Sequence, residues 1–129
     1  MVLDRSALLD YARMDAVETG VLVMDVVRDA RATLRTSPLT LLHCLTAVYG
    51  HPASARVRRL FPDGTVPTLT GDDADLIARL RAYEPADMVH TALLAVRSSC
   101  WIATHDTAAY HRLGYLRTLS LAHRRAGRT

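Results

Sequence analysis

Apolar residues along this chain follow two spacings that alternate from one end to the other. Stretches in which apolar residues recur every three or four positions predict helices, and these lie at residues 6–13, 15–32, 37–50, 51–61, 72–80, 85–96 and 107–112. Short apolar runs between the helices predict strands at residues 1–4, 33–36, 65–69, 100–103 and 116–119. This alternation is typical of a parallel sheet that is covered by helices on both faces.

Several of the predicted boundaries carry residues with a known local role. Ser6 can cap the first helix, and Ser37 followed by Pro38 is a standard helix start. Pro67 lacks the amide proton that a sheet ladder needs, so its strand is expected at a sheet edge. The longest helix carries an apolar stripe along one face, formed by Val17, Val21, Met24 and Val27.

The length and composition predict a single domain with its own core. The chain has 129 residues, of which 50% are hydrophobic, and we expect the domain at residues 1–122 and a basic C-terminal tail at residues 123–129. No apolar run reaches the roughly 18 residues of a membrane span, and the first residues lack a signal-peptide pattern. We therefore expect a cytoplasmic protein that does not contact the membrane. Cys44 and Cys100 lie within apolar patterns and are expected to be buried, reduced thiols.

The charge of the chain permits an anionic partner without identifying one. The formal net charge is +3, and all 16 basic residues other than histidine are arginines. Arginine suits phosphate recognition, but the charge excess is too small to demonstrate a nucleic-acid partner. The sequence contains no Ser-His-Asp arrangement, glycine-rich phosphate loop or CxxC pair. Serine hydrolases, P-loop enzymes and zinc fingers therefore have no support.

Three acidic residues occupy positions where a parallel sheet places its ligands. Asp4 follows the first predicted strand, Asp106 lies just past the strand at residues 100–103, and Asp87 begins the most apolar helix. Each acid alone could simply cap or begin a helix. Because ligand sites in parallel sheets lie beyond the carboxyl ends of the strands, the three could also meet at one edge. Carboxylates gathered in this way hold hard cations such as Mg²⁺ or Mn²⁺, which can activate water for phosphodiester cleavage.

The motifs around these acids resemble those of the PIN domain family. Residues 2–9 read Val-Leu-Asp-Arg-Ser-Ala-Leu-Leu, residues 87–92 read Asp-Met-Val-His-Thr-Ala, and residues 102–106 read Ile-Ala-Thr-His-Asp. Their order and spacing are similar to those of the family from residue 2 to about residue 119. The resemblance implies an α/β fold, a three-layer α/β/α sandwich with a parallel sheet of four to five strands.

The resemblance also implies an activity and its residues. It implies a metal-dependent endoribonuclease, most often a VapC-like toxin of a toxin–antitoxin pair. Asp4, Asp87 and Asp106 would be the catalytic, metal-binding residues for Mg²⁺ or Mn²⁺, with Ser6 and Thr104 as supporting hydroxyls. The implied partners are RNA, an antitoxin protein and a second copy of the chain in a homodimer.

One position departs from the family pattern. The family has a glutamate early in the helix after the second strand, and this chain has His43 there. Imidazole is a poorer ligand for Mg²⁺ than for Mn²⁺ or Zn²⁺, so His43 is either a substitute ligand or the mark of a degraded site. Of the other histidines, His90 is expected in the core, and His105 is expected to point away from Thr104 and Asp106.

Three hypotheses follow for the function. The first is a metal-dependent endoribonuclease in which the three aspartates hold the metal. The second is a catalytically degenerate PIN-like domain that serves as a binding or interaction module, which the missing glutamate favours. The third is a structural module in which all three acids are helix caps and have no role in metal binding.

Overall fold

Four short parallel strands form the sheet around which the chain folds. The computed structural model describes residues 1–15, 17–29, 31–80, 84–114 and 116–121. The strands are β1 (Val2–Leu3), β2 (Arg35–Thr36), β3 (Ile102–Thr104) and β4 (Thr118–Ser120). Their order is β2-β1-β3-β4, and every neighbouring pair is parallel. In register, Leu3 lies between Thr36 and Ala103, which makes β1 a central strand.

Seven helices accompany these strands in the described part of the chain. They are α1 (Arg5–Arg13), α2 (Val17–Arg28), α3 (Pro38–Ala47), α4 (Ala53–Leu60), α5 (Gly71–Leu80), α6 (Ala86–Ser98) and α7 (Thr107–His111). Helices connect the successive strands, as parallel pairing requires. The molecule is therefore an α/β protein of the three-layer type, as the sequence predicts. Among the described helices, none has the length and apolarity to cross a membrane.

Two hydrophobic clusters lie on opposite faces of the sheet. Leu3 and Ala103 point into the first cluster, to which α1, α2, α3 and α4 also contribute. Val2 and Ile102 point into the second, together with side chains from α6 and α7. All four of these strand residues are fully buried. Because neighbouring residues of a strand face opposite sides, even a two-residue strand anchors both layers of helices.

The structure corrects two of the local expectations. No strand forms at residues 65–69, where Pro67 lies in irregular chain, so the described sheet has four strands. The cap of α1 is Asp4, whose side chain accepts the Ala7 amide proton, and Ser6 already lies inside the helix. Ser37 does cap α3, with Pro38 as the first helical residue, as expected. The predicted tail at residues 123–129 lies outside the described residues.

The apolar stripe of α2 does not face the core. Its members are between 40 and 69% exposed: Val17, Val21, Met24 and Val27. The helix packs instead through Val23 and Thr19, which are buried. The cysteines are both free, with Cys44 buried as expected and Cys100 only partly buried. Helical spacing therefore located α2, whereas the packing partners decided which face it buries.

A buried polar cluster connects three of the helices. His90 of α6 is fully buried, and its Nδ1 lies 2.6 Å from Ser37 Oγ at the start of α3. The other ring nitrogen, Nε2, lies 3.7 Å from Asp73 Oδ2 of α5. Two nitrogens of Arg97 donate to the Asp73 carboxylate. His90 is thus a core residue, as expected.

The cluster lowers the pKa of both its histidine and its aspartate, which disfavours the charged imidazole and favours the charged carboxylate. Burial lowers the pKa of His90 below its ordinary 6.5, although the nearby Asp73 carboxylate acts in the opposite direction. The hydrogen bonds from Arg97 lower the pKa of Asp73 to about 2. At neutral pH the cluster therefore contains a neutral imidazole beside a paired carboxylate. Burial of His90 opposes the binding of a second proton to its ring.

This lowered pKa predicts a loss of stability in mild acid. Unfolded His90 takes up a proton as pH falls through 6.5, whereas the folded state resists it until its own lower pKa. The contribution of His90 is therefore complete above pH 6.5 and declines below it, by at most about 1.4 kcal/mol per pH unit. Urea unfolding between pH 5 and pH 8 measures this slope. His90→Asn, which keeps an acceptor for Ser37, is expected to reduce it.

The exposed His43 offers a matched control for this measurement. His43→Asn is expected to retain the wild-type dependence of unfolding free energy on pH. An unchanged slope in His90→Asn would show that other groups cause the acid sensitivity.

Candidate functional site

The three predicted aspartates line one cleft of about 140 Å³. Asp4 directly follows β1, and Asp106 lies two residues beyond the end of β3. Asp87 belongs to the first turn of α6. The cleft therefore lies at the carboxyl ends of the two central strands, where parallel sheets bind their ligands. Residues that are far apart along the chain meet there because β1 and β3 are parallel neighbours.

Asp4 is the most firmly held of the three carboxylates. The residue is 7% exposed, and its Oδ1 accepts hydrogen bonds from Ser6 Oγ at 2.6 Å and from the Ala7 amide at 2.9 Å. Its Oδ2 accepts a hydrogen bond from the Tyr110 hydroxyl at 3.0 Å. These donors set the orientation of a buried carboxylate in the cleft.

Asp106 is held by the turn between β3 and α7. Its Oδ1 accepts the Ala109 amide proton at 3.1 Å, so Asp106 is the N-cap of α7. Its own amide donates to Thr104 Oγ1 at 3.0 Å. Thr104 is buried and supports the turn rather than lining the cleft. The second carboxylate oxygen of Asp106 accepts no hydrogen bond from the described residues, so it is available to a ligand.

Ser6 and Arg5 connect the other parts of the site. Ser6 Oγ accepts the His105 amide proton at 3.0 Å while donating to Asp4, so one hydroxyl joins the start of α1 to the end of β3. Arg5 Nε lies 3.5 Å from Asp87 Oδ2. The Arg5 side chain is 42% exposed, and such a pair contributes little to stability. It places a positive charge at the cleft without burying it.

The structure does not bring His43 into this site. His43 is exposed on α3 and is not among the residues that line the cleft. Glu84, the residue before Pro85 of the cleft lining, pairs with Arg112 at 3.2 Å. His105 does not line the cleft, and its Nε2 lies 3.1 Å from Asp10 Oδ2 of α1. Among the described residues, neither His43 nor Glu84 therefore adds a ligand to the three aspartates of the cleft.

Tyr110 is a member of the site that the sequence motifs did not indicate. It is buried in α7, and its phenol pKa is raised well above the usual range, first by burial and then by the Asp4 charge. The hydroxyl is therefore a permanent donor. The available signal was its spacing, because a residue four positions after Asp106 returns to the same side of a helix.

The donor set of the cleft suits a hard divalent cation. In the described part of the chain no three histidine, cysteine, aspartate or glutamate side chains are grouped closely enough to hold a metal together. Mg²⁺, however, is commonly bound through one or two carboxylates, with water completing its octahedron. The oriented Asp4 carboxylate and the open oxygen of Asp106 fit that mode in their chemistry. The cleft does not offer a preformed cage.

Comparison with known proteins adds no family assignment. No protein-family model matches the chain, and no curated protein sequence matches it.

The hydrogen-bonding role of Ser6 predicts a measurable contribution to stability. Ser6→Ala removes the donor to Asp4 Oδ1 and the acceptor for the His105 amide. At about 0.5 to 1.5 kcal/mol for each bond, we expect a loss of about 1 to 3 kcal/mol in the free energy of unfolding. Denaturant unfolding measures it. Ser54→Ala is the control, because Ser54 is a half-buried serine of α4 that does not line the cleft. Equal effects of the two substitutions would contradict this role.

Proposed function

We propose that this protein is a metal-dependent endoribonuclease of the PIN-domain type. The observation that carries the proposal is the meeting of Asp4, Asp87 and Asp106 in one cleft at the carboxyl ends of two parallel strands. Three separate chain segments supply these acids in the order that the family motifs have. The restraint of Asp4 and Asp106 by hydrogen bonds from neighbouring groups is the preorganisation that a site for charged ligands needs.

Each group of the cleft has a defined task in this proposal. Asp4 and Asp106 would hold Mg²⁺ or Mn²⁺ together with water, and Asp87 would add negative charge to the same cleft. The ion would supply water activation and charge stabilisation for phosphodiester cleavage. Ser6 orients Asp4, and Thr104 supports the turn that presents Asp106. In this proposal both hydroxyls act through the carboxylates that they hold in place.

Two arginines at the cleft would contact the RNA backbone. Arg5 lies beside Asp87, and Arg112 pairs with Glu84, the residue before Pro85 of the cleft wall. Both arginine side chains are substantially exposed. Cations in such positions bind phosphate groups without selecting a base sequence. Weak ion pairs at an exposed rim can exchange their carboxylate partners for phosphate at low cost.

The biological setting in this proposal follows the family resemblance. The protein would act in the cytoplasm on RNA, as the toxin of a toxin–antitoxin pair. Its protein partners would be the antitoxin and a second copy of the chain.

A second candidate function is a PIN-like interaction module without catalysis. The observation that favours it is an apolar groove of about 480 Å³ between α1, α2 and α4, lined in part by the exposed stripe of α2. Contiguous apolar surface of this kind is typical of protein interaction sites. The absence of His43 from the cleft supports the same function, because the site then has fewer ligands than the family pattern.

The test of the proposed function uses Asp106→Asn. Asparagine caps helices about as well as aspartate, so the variant is expected to fold with an unfolding free energy within about 1 kcal/mol of wild type. The substitution removes one of the three charges available to a cation. We expect the wild type to bind Mn²⁺ in a calorimetric titration and to cleave RNA in the same buffers. We expect the variant to do neither.

Asp63→Asn, a change in an exposed turn, is the matched control and is expected to bind Mn²⁺ and cleave RNA as wild type does. Wild-type binding without cleavage would favour the interaction module. A wild type that binds no Mn²⁺ would leave the three aspartates with structural roles only.

A further inference from the structure

The apolar groove between α1, α2 and α4 is a surface that the described part of the chain leaves uncovered. It has a volume of about 480 Å³, and Met14, Val17 and Val21 line it with side chains that are 71, 69 and 53% exposed. Apolar side chains with this exposure lose the stabilisation that burial would provide. Contiguous surface of this kind is typical of sites where proteins meet.

A glycine in this groove departs from the preference of the helix that carries it. Gly20 lies at the fourth position of α2 and lines the groove. Glycine inside a helix destabilises it relative to alanine, and the fold does not require glycine here. Its φ is not positive, and a Cβ added to Gly20 would meet nothing within 4 Å. What the missing side chain does provide is room for a second backbone to approach α2 closely from outside.

Met14 is a second departure from local preference in the same groove. It ends α1 in the left-handed conformation, with φ 55° and ψ 37°. Glycine and asparagine adopt this conformation at low cost, whereas the exposed Met14 side chain gains little from packing within the chain. Departures from local preference are expected where function requires them. Gly20 and Met14 both line the groove, so they indicate contact with a partner there.

The charges along the groove indicate the kind of partner. Asp25 and Arg28 of α2 are exposed, and Arg56 of α4 lines the other wall, where it donates to Ala12 O at 2.8 Å. Like charges that meet across an interface oppose binding. A helix flanked only by acids would therefore be opposed by Asp25, and a helix flanked only by bases would be opposed by the two arginines. A second copy of the same groove carries both signs, and in a two-fold arrangement its arginines can face Asp25.

The extent of the groove sets the strength that we expect of this contact. A two-fold interface buries the same patch on both copies, and here the patch comprises one helix face and the adjacent parts of two other helices. A patch of this extent belongs with the small interfaces, below about 1,200 Å² of total buried surface, which are typically weak and transient. We therefore expect a reversible dimer with a dissociation constant on the order of 10 µM.

We propose that the apolar groove is the contact surface between two copies of this chain, which pack α2 against α2 with Gly20 at the crossing. Val17 and Met24, which share this face of the helix with Gly20, then lie on either side of the crossing and become buried on both copies. A second copy is a partner that the proposed function already includes, but this association requires neither a metal ion nor RNA.

The test is sedimentation velocity of the purified full chain between about 1 and 500 µM, a range that brackets the expected dissociation constant. The wild type is expected to pass from monomer to dimer. Val21→Glu introduces a charge at a position that is exposed in the monomer, so we expect it to fold, as circular dichroism measures, and to stay monomeric. Leu42→Glu is the matched control, because Leu42 is 65% exposed on α3 and does not line the groove. We expect this variant to dimerise as the wild type does.

Gly20→Ala separates a role in association from a role in the helix. Alanine favours the helix, and the added Cβ meets nothing within the chain. At concentrations where both proteins are monomers, we expect the variant to melt about 3 °C higher than the wild type. At higher concentrations we expect its dimerisation to be weaker by at least about tenfold, because the Cβ of each copy then meets the helix of the other.

Each result bears on the proposal. A wild type that stays monomeric up to about 500 µM would overturn the second copy as the occupant and leave the groove to a different protein. Dimerisation at wild-type strength in a folded Val21→Glu or in Gly20→Ala would overturn the placement of the interface, as would loss of the dimer in Leu42→Glu. Should Val21→Glu not fold, Gly20→Ala still decides, because alanine suits the helix. None of these results depends on Mn²⁺ binding or RNA cleavage, so a failure here is distinguishable from a failure of the proposed nuclease.

Discussion

The two-sided pairing of β1 is the constraint on which the rest of this structure depends. Val2–Leu3 is a strand of only two residues. The Val2 amide donates to Trp101 O at 2.7 Å, and on the other side the carbonyl of the preceding residue, Met1, accepts from the Arg35 amide at 2.8 Å. Both side chains are fully buried, on opposite faces of the sheet. Backbone groups removed from water must be paired, so a shift of the strand register would leave amide or carbonyl groups without hydrogen-bond partners. It also places Asp4 at the same edge as the end of β3, where the cleft forms.

In the proposed function, the acids of the cleft would combine structural and functional roles. Asp4 and Asp106 cap α1 and α7, which by itself is a sufficient reason for their presence. A cap uses one or two of the lone pairs of a carboxylate and leaves the others facing the cleft. Capping therefore orients the acid instead of competing with a ligand. Because of this geometry, the sequence also permits the interpretation that each of these acids has only a structural role.

The charges around the cleft are balanced only in part, because one arginine lines it beside three aspartates. Arg5 neutralises Asp87 in part, and the Tyr110 hydroxyl solvates Asp4. His43, where the resemblance leads us to expect a second acid, is exposed on α3 and does not line the cleft. Fewer carboxylates mean less repulsion among them and a weaker pull on a cation. Hydrogen bonds from neighbouring groups restrain Asp4 and Asp106 in this cleft.

Sequence by itself determined the elements of this protein, because their signals are local. Helical spacing, the Ser37 cap and apolar strand runs each depend on neighbours within a turn or two, and parallel topology then brought Asp4 and Asp106 to one edge. Tertiary structure alone decided the rest. It exposed the apolar stripe of α2, left residues 65–69 out of the sheet and joined Tyr110 to Asp4. Those outcomes depend on which surfaces pack together and on contacts between distant residues, and no local periodicity encodes either.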